Sequence, residues 1–220
     1  MTRAVSFFGS TVGRKVVMAL SGILLFGFVL AHMAGNLQLY LGPHALNEYS
    51  VTLHEMLHGA GLWIARGGLL LVVGLHIWAA TALTLAERGV RPEGYRAVRH
   101  RESTYASRTM IWSGPILFLF VVYHLLHLTT GTVHGSFIEG DVYHNVVAGF
   151  SFWPVSLFYI VAMLALGLHL RHGVWSMLQT LGLSHPRWNG LRSAAANGFA
   201  LVVVVGNISM PVAVLTGLVK

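Results

Sequence analysis

The chain contains no cysteine, so disulfides, thiolate-held iron–sulfur clusters and cysteine-based zinc sites are excluded. Charge is scarce as well. Asp, Glu, Lys and Arg make up 10% of its 220 residues, where a soluble domain carries about 25%. Acidic residues are the rarer sign, 7 against 14 basic ones. No internal repeat, low-complexity tract or separate soluble domain stands out, and no nucleic-acid partner is expected. Apolar residues, 55% of the chain, gather into runs approaching the ~20 residues that span hydrocarbon as a helix. Composition therefore predicts an all-α integral membrane protein, a single membrane domain over residues 1–220.

Five runs read as membrane-spanning helices, at about 16–40, 62–86, 109–131, 152–180 and 194–218. The first follows a basic start with Phe7 and Phe8, and it is longer than the ~7–15 apolar residues of a secretory signal. It is read as retained. Gly42-Pro43 closes it, and Pro154 suits the first turn of the fourth helix. The loops at 42–61 and 132–149 hold no Lys or Arg. Arg3, Arg14, Lys15, Arg88, Arg91, Arg96, Arg99, Arg101, Arg108, Arg171, Arg187 and Arg192 all fall on the opposite side, leaving only Arg66 and Lys220 elsewhere. The positive-inside rule then predicts a multi-pass protein of the cell's inner (cytoplasmic) membrane, N-terminus cytoplasmic and C-terminus outside.

Histidine is abundant, with 13 residues. An imidazole inside the bilayer is costly and normally faces a partner or cofactor. Four spans each carry such a residue: His32, His76, His124 and His169. At about 1.5 Å per residue, His32 lies about 27 Å from Arg14 and His124 about 24 Å from Arg108. His76 lies about 18 Å from Arg88 and His169 about 16 Å from Thr180. Depth sorts them into an outer pair, His32 with His124, and an inner pair, His76 with His169. Two bis-histidine haems stacked across a membrane require that arrangement. His127 and His172 each follow a candidate by three residues and share roughly its face, so depth leaves them open as alternatives. Gly35, Gly74, Gly167 and Gly173 sit within a turn of the four, where a flat macrocycle approaches backbone.

The stretches LAHMAGNLQLYLGP (30–43), GLHIW (74–78), ASRTMIWSGPILFLFVVYHLLHLTTGTVH (106–134), DVYHNVV (141–147) and LGLHLRHGVWSMLQTLGLSHP (166–186) resemble a known family. It is the membrane-anchor cytochrome b subunit of succinate dehydrogenase and fumarate reductase, in its single-chain, five-helix, dihaem, actinobacterial-like form. The resemblance implies a five-helix bundle binding two haem b, with His32 and His124 on the distal haem and His76 and His169 on the proximal one. It favours His124, which follows Tyr123, over His127. It favours His169, ahead of Gly173-Val174-Trp175, over His172. The chain departs from some fumarate reductases of this type in carrying Gly167 where a glutamate serves proton passage.

The resemblance further implies a flavoprotein and an iron–sulfur subunit at the cytoplasmic face, and electron flow from succinate through the two haems to a quinone, by analogy menaquinone. The chain would be one subunit of the respiratory enzyme and would not oxidise succinate alone. Candidate partners for haem propionates are Arg14, Lys15, Ser21, Arg108 and Arg171. Quinone reduction consumes protons, so titratable groups on the outer side are candidates for that site: His44, Glu48, His54, Glu55 and His58, with Arg66 facing in from the second helix. Two other readings compete. One is a cytochrome b anchor of a hydrogenase or formate dehydrogenase. The other is a zinc protease, because His54-Glu55-Met56-Leu57-His58 fits H-E-x-x-H.

Overall fold

The computed structural model describes residues 7–90 and 105–220, with side chains for 7–86 and 109–220. Among these residues every regular element is helical. Seven helices follow in order: α1 (Thr11–Asn36), α2 (Pro43–Glu55), α3 (Ala60–Val90), α4 (Tyr105–His124), α5 (Val142–Ser151), α6 (Trp153–Thr180) and α7 (Asn189–Leu215). Five of them are long and apolar enough to cross a membrane: α1, α3, α4, α6 and α7. The protein is a multi-pass membrane protein. The other two helices are a correction to the sequence reading, which took 42–61 and 132–149 for loops.

Local chemistry accounts for both short helices. Gly42 takes φ 97 and Pro43 occupies the first turn of α2, where its missing N–H costs nothing. Asp141 caps α5 by accepting from the His144 N–H at 3.0 Å. Asn47 of α2 joins the two, donating to Asp141 Oδ1 at 3.0 Å and accepting from the Tyr143 N–H at 2.9 Å. Tyr143 then donates its hydroxyl to the Lys220 carbonyl. One clasp at this end of the bundle thus ties α2, α5 and the C-terminus together.

Beneath that clasp lies the main core. Leu39, Leu46, Phe120, Phe150, Tyr159, Met163, Met210 and Val214 pack there. A smaller cluster of Leu170, Ala200 and Val203 lies under Phe26 and Leu30 further in. Large apolar side chains elsewhere are turned outward, among them Leu70, Leu119, Leu201 and Trp112. In a bilayer these face lipid. Trp63 and Trp153 near helix ends on one side, and Trp188 near a helix end on the other, remain exposed, as aromatic belts at the two interfaces require.

Packing between the long helices is uneven, and that positions the site. α1 runs along α3, and α4 runs along α6, which also holds α7. α1 touches α6 only briefly, while α3 makes no extended packing against α4 or α6. Two helix pairs therefore face each other with few direct contacts between them. The histidines lie on those facing sides.

Candidate functional site

The facing sides bring four imidazoles together in two pairs. His32 of α1 and His124 of α4 have ring centres 5.8 Å apart, with ring planes at 86°. His76 of α3 and His169 of α6 are 6.2 Å apart at 56°. An imidazole nitrogen binds a first-row metal at about 2.0–2.1 Å, so with about 1.1 Å from nitrogen to ring centre two opposed axial imidazoles place their centres roughly 6.3 Å apart. The ring-centre separations of both pairs are close to that value.

Hydrogen bonding sets the inner rings. Ser21 gives its own proton to the Val17 carbonyl at 2.7 Å, so its oxygen accepts from His76 Nδ1–H at 3.0 Å. Ser113 turns to the Met110 carbonyl at 3.3 Å and takes His169 Nδ1–H at 3.3 Å. Both serines are buried, 4% and 3% exposed, with no water to compete for the bond. With the proton held on Nδ1, each ring keeps an unprotonated Nε2, the nitrogen left free for a metal. The donor set fits a bis-imidazole iron porphyrin at this level.

The outer pair is less symmetric. His124 Nδ1 meets the Tyr159 hydroxyl at 3.2 Å. His32 Nε2 instead accepts from Asn36 Nδ2 at 3.1 Å, so coordination through that nitrogen requires the amide to turn away. His127, on the π-helical turn Leu125–Thr129, does not enter this pair. It points to the Tyr159 hydroxyl at 3.0 Å and stacks on His134, with centres 4.7 Å apart at 19°. Gly149 makes room for it, since a Cβ there would come within 2.7 Å of the ring.

Ser21 was expected on a propionate; its hydroxyl instead serves His76. Arg14 is also committed, donating to the Phe8 and Ala82 carbonyls. Arg171 lines a shallow groove between α6 and α7 with Asn197 and Gly167. It lies about 200° around the helix from His169 at about 100° per residue, away from the facing sides. Lys15 is exposed, and the Arg108 side chain is outside the described residues. Two of the four glycines expected beside a macrocycle serve helix packing instead. A Cβ at Gly35 would strike the Tyr49 ring, and one at Gly167 would come within 2.5 Å of Val204 Cγ2. Gly74 and Gly173 meet nothing within 4 Å.

Outer-side candidates scatter along α2. His44 Nδ1 and Glu48 Oε2 lie 3.3 Å apart, both side chains well exposed, on a groove that also includes Asn47 and Val51. His54 Nδ1 donates to the Ser50 carbonyl. Arg66 lies over the Trp63 ring at 5.0 Å, a position at the interface. The H-E-x-x-H reading fails on backbone grounds. α2 ends at Glu55, and Leu57 and His58 take φ of 54 and 55, so His54 and His58 do not share a helical face. Among the described residues no three His, Asp or Glu side chains converge on a metal position.

Sequence reasoning missed Ser113, Tyr159 and His134, and it missed an internal repeat that would have found the first. SGILLFGFVLAH (21–32) and SGPILFLFVVYH (113–124) share S-x6-F-x3-H, and GLH recurs at 74–76 and 167–169. Ser to His spans three helical turns, about 16 Å, so each repeat's first helix places a serine level with the inner pair and a ligand candidate at the outer. Phe28 stacks on His32 and Phe120 on His124 in the same way.

The family described as succinate dehydrogenase/fumarate reductase transmembrane subunit matches residues 91–206, a little over half of the chain. No curated protein and no solved structure matches the chain.

Proposed function

The chain belongs to the succinate dehydrogenase/fumarate reductase transmembrane subunits, and from that membership we propose that it is the dihaem cytochrome b anchor of the enzyme. His32 and His124 hold the outer haem b and His76 and His169 the inner one. The observation that carries this is the pair of imidazole couples at 5.8 and 6.2 Å across two helix pairs that barely touch. When bound, the two haems supply one-electron relay between the soluble subunits and a membrane quinone.

The chain's own residues do the rest. His32 with His124 and His76 with His169 would each hold one haem between two imidazoles, and the chemistry the group would then supply is electron exchange. Ser21 and Ser113 hold the inner rings in the tautomer that leaves Nε2 available. The flavoprotein and iron–sulfur subunits dock at the cytoplasmic end, near the arginine-rich connector. On the outer side the His44–Glu48 pair supplies exposed groups able to pass protons to a quinone, by analogy menaquinone.

A reduced-minus-oxidised absorbance spectrum of the purified protein tests the reading. A b-type α-band with two haems per chain is expected. A colourless preparation from haem-replete cells would sink it. Co-purification with a flavoprotein and an iron–sulfur subunit active on succinate or fumarate separates this anchor from that of a hydrogenase or formate dehydrogenase.

A further inference from the structure

Tyr159 stands two turns into α6 with 5% of its surface exposed, and its hydroxyl is shared by two imidazoles. His124 Nδ1 is 3.2 Å away and His127 Nδ1 3.0 Å. A phenol has one proton, so it donates to one ring and accepts from the other. If His124 offers Nε2 to iron, its Nδ1 carries the proton and donates to Tyr159. The phenolic proton then goes to His127 Nδ1, and His127 keeps its own on Nε2. One assignment fixes the direction of the whole chain.

The other three ligand candidates end differently. Ser21 and Ser113 pass their protons to backbone carbonyls of their own helices, and His32 meets only a side-chain amide. The repeat sharpens the contrast. Ten residues before the inner histidine, α6 carries Tyr159 and α3 carries Arg66, which lies over Trp63. His127 is also firmly seated. It is 2% exposed, stacked between Tyr123 and His134, and packed against the bare backbone of Gly149. His134 cannot take over its role, since its Nε2–H donates to the Asn145 carbonyl and its Nδ1 accepts from the Ser136 N–H.

We propose that Tyr159, with buried His127 as the acceptor of its proton, is a positioning residue that orients His124 and sets the outer haem apart electronically from the inner one. This rests on the dihaem reading above. A phenol that donates to an imidazole becomes a stronger acceptor, because successive hydrogen bonds polarise one another. His124 Nδ1–H then gives up more of its charge, and the ring gains imidazolate character that favours ferric over ferrous iron. The outer centre is held at a lower potential than ligation alone would give it.

Potentiometric titration of the α-band and low-temperature spectra of the ferric state, on the full complex, test this. The outer component is identified as the one absent from His32→Ala. In Tyr159→Phe the outer component is expected to shift to a more positive potential with an altered ferric signal, while the inner component stays where it was. His127→Phe should shift it the same way by less. His127→Gln, whose amide oxygen still accepts from Tyr159, should stay nearer the parent. If Tyr159→Phe loses the outer haem altogether, His127→Phe decides: a shift confined to the outer component supports the proposal, and none overturns it. No shift in either variant, or equal shifts in both components, also overturns it. Failure of the dihaem reading would look different, since the parent protein itself would then lack two b-type components.

Discussion

Three hydroxyls meet the Nδ1 atoms of His76, His169 and His124, and the two serines, whose own protons go to backbone carbonyls, each remove one tautomer from the choice. A hydrogen bond of this kind is worth only about 1 kcal/mol in stability, but its effect on a ligand ring is larger than that. A partner on the far side of a metal-binding imidazole typically changes affinity by roughly 10–100-fold. Ser21→Ala removes the acceptor from His76 Nδ1 and leaves the outer pair untouched. The inner haem should then leave the detergent-solubilised protein at least tenfold faster, read by transfer to an excess of apo-globin, with the outer haem unaffected. Equal rates in variant and parent would show that the serine merely fills space. Ser21 also marks what a linear reading misses. The sequence offers it as a propionate partner, and only the neighbouring helix reveals the imidazole it serves. Depth along a helix, by contrast, is written in residue numbers, which is why the levels of the four histidines were legible and their hydrogen-bond partners were not.

Contacts between elements turn on single atoms where helices run close. Gly167 of α6 faces Val204 of α7, and any Cβ there would sit 2.5 Å from the Val204 Cγ2 atom. A β-branched side chain in a helix has one strongly preferred rotamer, so valine cannot swing aside. Gly167→Ala should lower stability by about 1–3 kcal/mol, the usual range for overpacking, and Val204→Ala in the same chain should recover most of it. Thermal unfolding in detergent reads both. A glutamate at this position, as in some fumarate reductases, would be harder still to house against α7. The short helices obey a different rule. The His144 N–H, then the Asn47 amide, hold the Asp141 carboxyl below its ordinary value of 3.8. A depressed folded pKa means the clasp is intact above that value and is lost only as pH falls through the lower one. Hydrogen exchange at the first turn of α5 should stay protected at pH 4, while in Asp141→Ala it should be fast at every pH. Both short helices escaped the sequence reading because their polar caps and histidines resemble loop composition. α2 buries only Leu46, and α5, which sets Val142, Val146, Val147 and Phe150 against the core, has only ten residues.

At the scale of the molecule the chain is two similar halves, α1 with α3 and α4 with α6, and α7 closes one side. Both halves run in the same sense, so the approximate two-fold axis between them lies along the membrane normal. Equivalent histidines then meet across that axis: His32 faces His124 and His76 faces His169. A group held by two equivalent histidines would suit such a position, and Tyr159 against Arg66 and Asn36 against Leu128 are departures from symmetry at the outer level, as His172 against Ala79 is at the inner one. Which level is outer depends on orientation, and orientation rests on the basic residues alone. The absence of cysteine makes this directly measurable, because a single introduced thiol is the only one in the chain. Leu218→Cys and Leu57→Cys, both exposed beyond the outer helix ends, should react with a membrane-impermeant maleimide added to intact cells. Leu183→Cys, exposed between α6 and α7, should react only after the membrane is opened. The reverse pattern would place the Tyr159 level on the cytoplasmic side, where it would face the iron–sulfur subunit. The His76 and His169 pair would then be the one nearer the far surface.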